Sequence, residues 1–170
     1  WRERAALAGG IAGVRPADGR AVLAGTLEPR GATLLAPLDA APCLACSYES
    51  KEDRGQGRRR TIFTHFKGVA VAPATILTAS GTYSMLAVAD LEEADAATAT
   101  HSDAVEAFRR YAGRTTFTGR DTSAQELIDR WTDGDGAYRS DVAYSAIEQV
   151  DFSKCQLTQQ SVRPGARVTV

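Results

Sequence analysis

The feature that most constrains the fold of this chain is a series of short apolar and β-branched segments in its first half. The segments cover residues 20–27, 43–48, 61–66, 69–71, 75–78 and 83–88, and turns that contain glycine or proline separate most of them. Short runs of this composition, bounded by turn residues, are typical of β-strands. Their regular spacing predicts a small antiparallel β-barrel or β-sandwich.

After residue 90 the pattern becomes helical. Asp103 and Glu106 have the spacing of a capping box, in which the first side chain caps the helix and the second reaches back. Phe108 lies on the apolar face that follows. Ser123 and Glu126 repeat the start signal, so this part of the sequence predicts two helices.

Length and composition bound the domain organisation. With 170 residues, of which 44% are hydrophobic, the chain is long enough for one domain with a proper core. We predict a single domain over residues 1–170, of the α+β class and mainly β. Its β core covers about residues 20–90 and 147–170, and a two-helix insertion covers about residues 92–146.

The charge and the apolar runs exclude some classes of partner. The net charge is −1, which argues against an electrostatic surface for nucleic acid over the domain as a whole. No run in the printed sequence reaches the roughly 18 apolar residues that a membrane-spanning helix needs. We therefore expect no nucleic-acid partner.

The three cysteines raise the question of a metal or redox site. An odd number does not suggest a disulfide framework. Cys43 and Cys46 form a Cys-x-x-Cys pair, but residues three apart in one continuous strand face opposite sides, so we predict buried structural roles. The alternative is a small zinc- or thiol-dependent domain that uses Cys43, Cys46 and Cys155, with His65 or His101 as a further zinc ligand.

Catalytic signatures are missing from the sequence. There is no G-x-S-x-G, H-E-x-x-H, phosphate-binding P-loop or G-x-G-x-x-G motif. His65 stands in a predicted strand where no partner for acid–base chemistry can be placed, so we expect a structural role for it. The sequence therefore predicts no enzyme, no cofactor and no metal.

A polar hairpin loop is predicted over residues 49–60. Between Ser50 and Arg60 five basic residues stand against two acidic ones, which gives a local charge of +3. Such a cluster can bind phosphate or acidic lipid headgroups, although a solvated hairpin tip has the same composition. The residues predicted to contact a partner or a membrane surface are Arg54, Arg58, Arg59 and Arg60.

Two motifs resemble a known family. Ala36-Pro37-Leu38 with Pro42-Cys43 precedes a strand that ends in Tyr and the charged hairpin, and residues 162–168 near the end read Val-Arg-Pro-Gly-Ala-Arg-Val. This order resembles the GIDE domain, also called the beside-a-membrane domain, of the MULAN-type mitochondrial ubiquitin ligases and their bacterial relatives. Ala166 stands where the family usually has Asp.

The resemblance implies a non-enzymatic interaction domain of a bacterial protein, held beside a bilayer by membrane helices outside this chain. We expect a protein partner and an adjacent membrane, and the side of the membrane stays open. In the eukaryotic members a RING finger carries the ligase activity and needs about eight Cys and His ligands. The alternative is therefore the substrate-recognition part of a ubiquitin ligase whose RING lies outside this chain.

Overall fold

The computed structural model describes residues 24–55, 61–85, 95–99, 102–117 and 137–169. The strands in chain order are β1 (Ala24–Pro29), β2 (Leu34–Leu35), β3 (Pro42–Cys43), β4 (Ala45–Arg54), β5 (Thr61–Val71), β6 (Ala74–Thr78), β7 (Gly81–Met85), β8 (Asp95–Ala99), β9 (Tyr138–Ala143), β10 (Cys155–Val162) and β11 (Arg167–Thr169). Helix α1 spans Ser102–Ala112, and two short 3-10 turns, Ile147–Gln149 and Phe152–Lys154, precede β10.

The strands form separate antiparallel sheets. One has four strands in the order β11-β1-β6-β7, one has five in the order β8-β10-β4-β5-β9, and β2 pairs with β3. The predicted class, α+β and mainly β, is confirmed. Within the described part of the chain no closed barrel is found.

The buried side chains of the strands form two apolar cores. In β10 the residues at every second position are buried, as expected for a strand with one covered face. The first core joins the four-stranded sheet to the early part of β4 and the end of β5, and it contains Leu27, Leu34, Leu44, Val71 and Ile76. The second core lies between α1 and the five-stranded sheet, and it contains Tyr48, Phe66, Phe108, Phe152 and Leu157.

Helix α1 follows the sequence prediction closely. It begins at Ser102, one residue before the predicted cap, and ends at Ala112. The N–H of Gly113 then donates to the carbonyl oxygen of Arg109 at 2.9 Å. Phe108 is fully buried and packs edge-on or tilted against Tyr48, Phe66 and Phe152. Among the described residues no helix is both long and apolar enough to cross a bilayer.

The predicted helical insertion contains strands as well as a helix. Strands β8 and β9 fall inside residues 92–146 and form the two edges of the five-stranded sheet. Sequence patterning missed β9 because Asp141, a polar residue, faces inward at a strand position where an apolar one is usual. The second predicted helix, which starts at Ser123, lies outside the described residues.

Two predicted boundaries are wrong. Residues 49–54, expected in a loop, continue β4, because each of them pairs with a residue of β5. Strand β4 therefore accommodates charged residues, because pairing with β5 keeps it extended whatever its composition. Residues 147–154, expected to be extended, form the two 3-10 turns, and the last long strand begins only at Cys155.

The packing of α1 on the sheet gives a test of the fold. We expect Phe108→Ala to lower the free energy of unfolding by about 3–5 kcal/mol, because it removes a large ring from a closed aromatic cluster. Urea unfolding followed by far-UV circular dichroism measures this. The control is Arg110→Ala on the exposed side of α1, which should change stability by less than about 0.5 kcal/mol. Equal losses from both variants would mean that α1 does not pack as described.

Candidate functional site

A polar cluster lies near the end of the β4–β5 hairpin where β4 finishes and β5 begins. It consists of Glu52 and Arg54 on β4, His65 on β5, and Ser145 just after β9. We call these four residues the His65 cluster. They come from three separate segments of the chain, so only the folded sheet brings them together.

A β-bulge positions the histidine. Ser50 pairs with Phe66 and Lys51 pairs with Thr64, which leaves His65 as an extra residue without a partner on β4. Bulges of this kind turn one side chain away from the regular alternation, and they are frequent beside active sites. The carbonyl oxygen of His65 accepts a hydrogen bond from the N–H of Tyr144 at 2.8 Å, which holds the next residue, Ser145, beside the ring.

Both ring nitrogens of His65 have partners. Nδ1 lies 2.9 Å from Ser145 Oγ, and Nε2 lies 3.0 Å from Glu52 Oε2. The same carboxylate oxygen accepts a hydrogen bond from Arg54 Nε at 2.7 Å. The histidine is only 3% exposed, whereas Ser145 is half-buried and the Glu52 side chain is 17% exposed.

The charge of Glu52 decides where the imidazole proton lies. Hydrogen bonds from Arg54 and then from His65 hold the pKa of Glu52 below its usual value. The carboxylate is therefore ionised at neutral pH and can only accept, so the neutral imidazole carries its hydrogen on Nε2. Nδ1 keeps its lone pair and accepts the hydrogen that Ser145 donates.

Aromatic rings shield the cluster on the hairpin side. The rings of Phe63 and His65 pack edge-to-face with centroids 4.9 Å apart. The Arg54 guanidinium lies over the Phe63 ring, 4.4 Å from its centroid. These contacts fix the arginine and the histidine at once, because one ring touches both.

A second polar network is buried under α1. Asp141 on β9 is 4% exposed, and its Oδ1 accepts hydrogen bonds from the hydroxyls of Tyr48 and Tyr111, each at 2.7 Å. Burial is the largest cause that raises the pKa of both phenols, so both remain donors at neutral pH. The network joins β4, β9 and α1, and its main role is to fix how the helix sits on the sheet.

Gly68 makes room for this network. It stands opposite Tyr48 on one side and Asp141 on the other. A Cβ atom at this position would lie 2.5 Å from Tyr48 Cε1 and 2.6 Å from Asp141 Oδ1. Only glycine therefore lets the phenol cross the middle strand to reach the carboxylate.

The cysteines lie in two different cores. The chain bends at Leu44 between β3 and β4, so Cys43 and Cys46 both point into the first core, and their thiols share a hydrogen bond. The prediction that they face opposite sides is wrong for that reason, while their predicted burial is confirmed. That hydrogen bond, together with burial, raises the pKa of the Cys46 thiol. Cys155 is part of the second core.

The alternative zinc site is not assembled by the described residues. They contain no group of three or more Cys, His, Asp or Glu side chains arranged to hold a metal ion. His65 is engaged with Ser145 and Glu52 instead. His101, the other proposed ligand, lies outside the described residues.

The predicted contact residues are only partly described. Arg54 lies in β4 with its side chain 51% exposed, and it binds Glu52 and Phe63. Arg58, Arg59 and Arg60 lie outside the described residues. Sequence reasoning named Arg54 and His65 separately and missed Glu52 and Ser145. The one local sign was the His between a β-branched and an aromatic residue, which does not reveal a bulge.

Comparison of the chain with family models, with curated proteins and with solved structures gave no match. The resemblance to the GIDE domain thus stays a prediction based on its motifs.

The ionised state of Glu52 predicts a pH dependence of stability. Its pKa in the folded protein lies below the unfolded value of about 4.3. The stabilisation is therefore present above that pH and is lost as the pH falls through the lowered pKa. We expect Glu52→Gln to be less stable than the wild type near neutral pH, and the difference to shrink in acid. Urea unfolding at about pH 7 and about pH 3 measures both values.

The matched control for that experiment is Glu148→Gln, since Glu148 is exposed on the first 3-10 turn. It should follow the wild type at both pH values. A Glu52→Gln protein whose loss of stability stays the same in acid would show that the carboxylate charge does not hold the cluster.

The Asp141 network predicts a cost for losing one hydroxyl. We expect Tyr48→Phe to lower the free energy of unfolding by about 1–3 kcal/mol, because a buried carboxylate loses a donor while the ring stays in place. Urea denaturation measures the change. Tyr83→Phe, which removes the hydroxyl of an exposed tyrosine, is the control and should be close to neutral. Similar values for the two variants would contradict a structural role for the network.

Proposed function

We propose that this chain is a membrane-proximal protein-interaction domain and that its β4–β5 hairpin contacts the partner. The observation that carries this proposal is the projection of the hairpin beyond its neighbours. Pairing of β10 with β4 reaches only as far as Glu52, and pairing of β9 with β5 reaches only as far as Phe66. Beyond those points the described residues of the two strands pair with each other.

The projecting part carries both apolar and cationic surface. Ile62 is 65% exposed, the highest value among the exposed large hydrophobic residues of the described chain. Arg54 lies on the neighbouring strand with half of its side chain in solvent. Exposed apolar side chains with arginine beside them are enriched at protein interfaces. In the sequence, Arg58, Arg59 and Arg60 follow in the same hairpin, so an acidic partner surface would complement it.

The base of the hairpin supports its use as a binding element. Arg54, Glu52 and His65 form a connected polar contact across the two strands, and Phe63 packs against two of them. A rigid element loses less conformational entropy when a partner binds than a flexible loop does.

The membrane-proximal part of the proposal rests on the GIDE resemblance. Its two motifs lie side by side in the fold. The N–H of Leu44 donates to the carbonyl oxygen of Val162 at 2.8 Å, and Arg163 Nη2 lies 3.3 Å from Asp39 Oδ2. The segments that carry the resemblance thus pack as one unit, which supports reading them as one signature.

Site-specific crosslinking tests this function. A photoreactive phenylalanine analogue replaces Thr61 on the hairpin of the native protein in its own cells. We expect a discrete protein adduct that sediments with membranes after alkaline extraction. Adding Ile62→Asp should abolish the adduct, because a charge would replace the exposed apolar side chain.

The control places the same analogue at Leu77, which is exposed on the four-stranded sheet and distant from the hairpin in sequence. Equal adducts from both positions would contradict a hairpin interface. Recovery of the native protein entirely in the soluble fraction would contradict the membrane-proximal role.

A further inference from the structure

Three side chains of the His65 cluster form a hydrogen-bonded series that runs from a hydroxyl through an imidazole to a carboxylate. Ser145 Oγ, His65 Nδ1, His65 Nε2 and Glu52 Oε2 follow one another with separations of 2.9 Å and 3.0 Å at the two hydrogen bonds. A nucleophile within hydrogen-bonding reach of a base, with the base oriented by a third group, is the general arrangement of an activated hydroxyl.

The positions of the protons in this series favour activation of the Ser145 hydroxyl. Arg54 keeps Glu52 ionised, the Nε2 hydrogen points at the carboxylate, and Ser145 donates to the free lone pair of Nδ1. If Nδ1 takes the serine proton, the resulting imidazolium has a carboxylate beside it at the other nitrogen. Tertiary structure fixes the base in the required tautomer before any substrate arrives.

We propose that Ser145 is a nucleophile toward carboxylic esters, with His65 as its general base and Glu52 as the residue that positions His65. Ser145 Oγ attacks the ester carbonyl carbon, and its proton moves to His65 Nδ1. The carbonyl re-forms as the C–O bond to the alcohol breaks, and the alcohol leaves with that proton. Acyl-Ser145 is then hydrolysed by water, which restores the hydroxyl and releases the acid.

Exposure around Ser145 allows an ester to reach it. His65 is 3% exposed, whereas Ser145 is half-buried and the Glu52 side chain is 17% exposed. Tyr144, the residue before Ser145, is 47% exposed, and Lys67 Nζ lies 5.7 Å from the centroid of its ring. Arg54 takes part in both proposals, so their tests use separate readouts: crosslinking from Thr61 for the hairpin contact and labelling of Ser145 for the reaction.

A fluorophosphonate probe tests the nucleophile directly. In the reaction with the probe, Ser145 Oγ forms a bond to phosphorus, the P–F bond breaks, fluoride leaves, and the serine proton passes to His65. We expect intact-mass analysis to show one adduct on the folded wild-type protein, and peptide mapping to place it on Ser145. No adduct on Ser145, or equal labelling of protein unfolded in urea, would overturn the proposal.

Two variants distinguish activation of Ser145 by His65 from labelling of any exposed serine. His65→Asn keeps a polar group beside Ser145 but cannot take its proton, so the labelling rate should fall by about 100-fold or more. Ser153→Ala is the control, because the Ser153 hydroxyl donates to a carboxylate, Asp151 Oδ1 at 2.6 Å, with no imidazole between them. It should label like the wild type. An unchanged rate in His65→Asn would remove His65 as the base.

Glu52 is tested as a positioning residue by comparing two substitutions. Glu52→Gln keeps the shape of the side chain but removes the charge beside His65 Nε2, so it should lower the labelling rate. Glu52→Asp keeps the charge and should recover part of that rate. Equal rates for Glu52→Gln and the wild type, or no recovery by Glu52→Asp, would show that the carboxylate does not position His65.

Discussion

Strands β4 and β5 pair along almost their whole length at the centre of the five-stranded sheet, from Ala45 opposite Val71 to Arg54 opposite Thr61. The two apolar cores are built on this pair, one near the start of β4 and the other near its middle. The neighbouring strands β10 and β9 add to its two sides. A shift of this register by one residue would move every inward side chain to the other face, because strand side chains alternate.

The one irregularity in that pairing has a chemical consequence. A bulge at Ser50 and Lys51 leaves His65 unpaired and turns it inward, where it meets a serine from beyond β9 and a glutamate from β4. The second buried network, around Asp141, depends instead on regular strand pairing and on the glycine that lies between its partners. Both networks keep buried polar groups bonded, which is the requirement that any inward polar residue must meet.

The proposed hairpin contact and the proposed nucleophile lie at the same end of the sheet. Ser145 follows the last pair of β9, Phe66 with Ala143, and beyond that pair the hairpin projects. A partner on the projecting strands would therefore approach the exposed side of Ser145. Glu52 links the two surfaces, since it binds Arg54 toward the tip and His65 toward the serine.

The sequence by itself determined the local features: most strands, the turn at Pro164 and Gly165, and the beginning and end of α1. Propensity, capping and turn residues act within a few residues of each other, so their pattern is visible along the chain. Tertiary structure alone decided β9, the bulge and the His65 cluster. His65 and Ser145 are 80 residues apart, and Tyr48 and Asp141 are 93 apart. Which polar groups meet across such distances depends on strand register, and no local pattern encodes it.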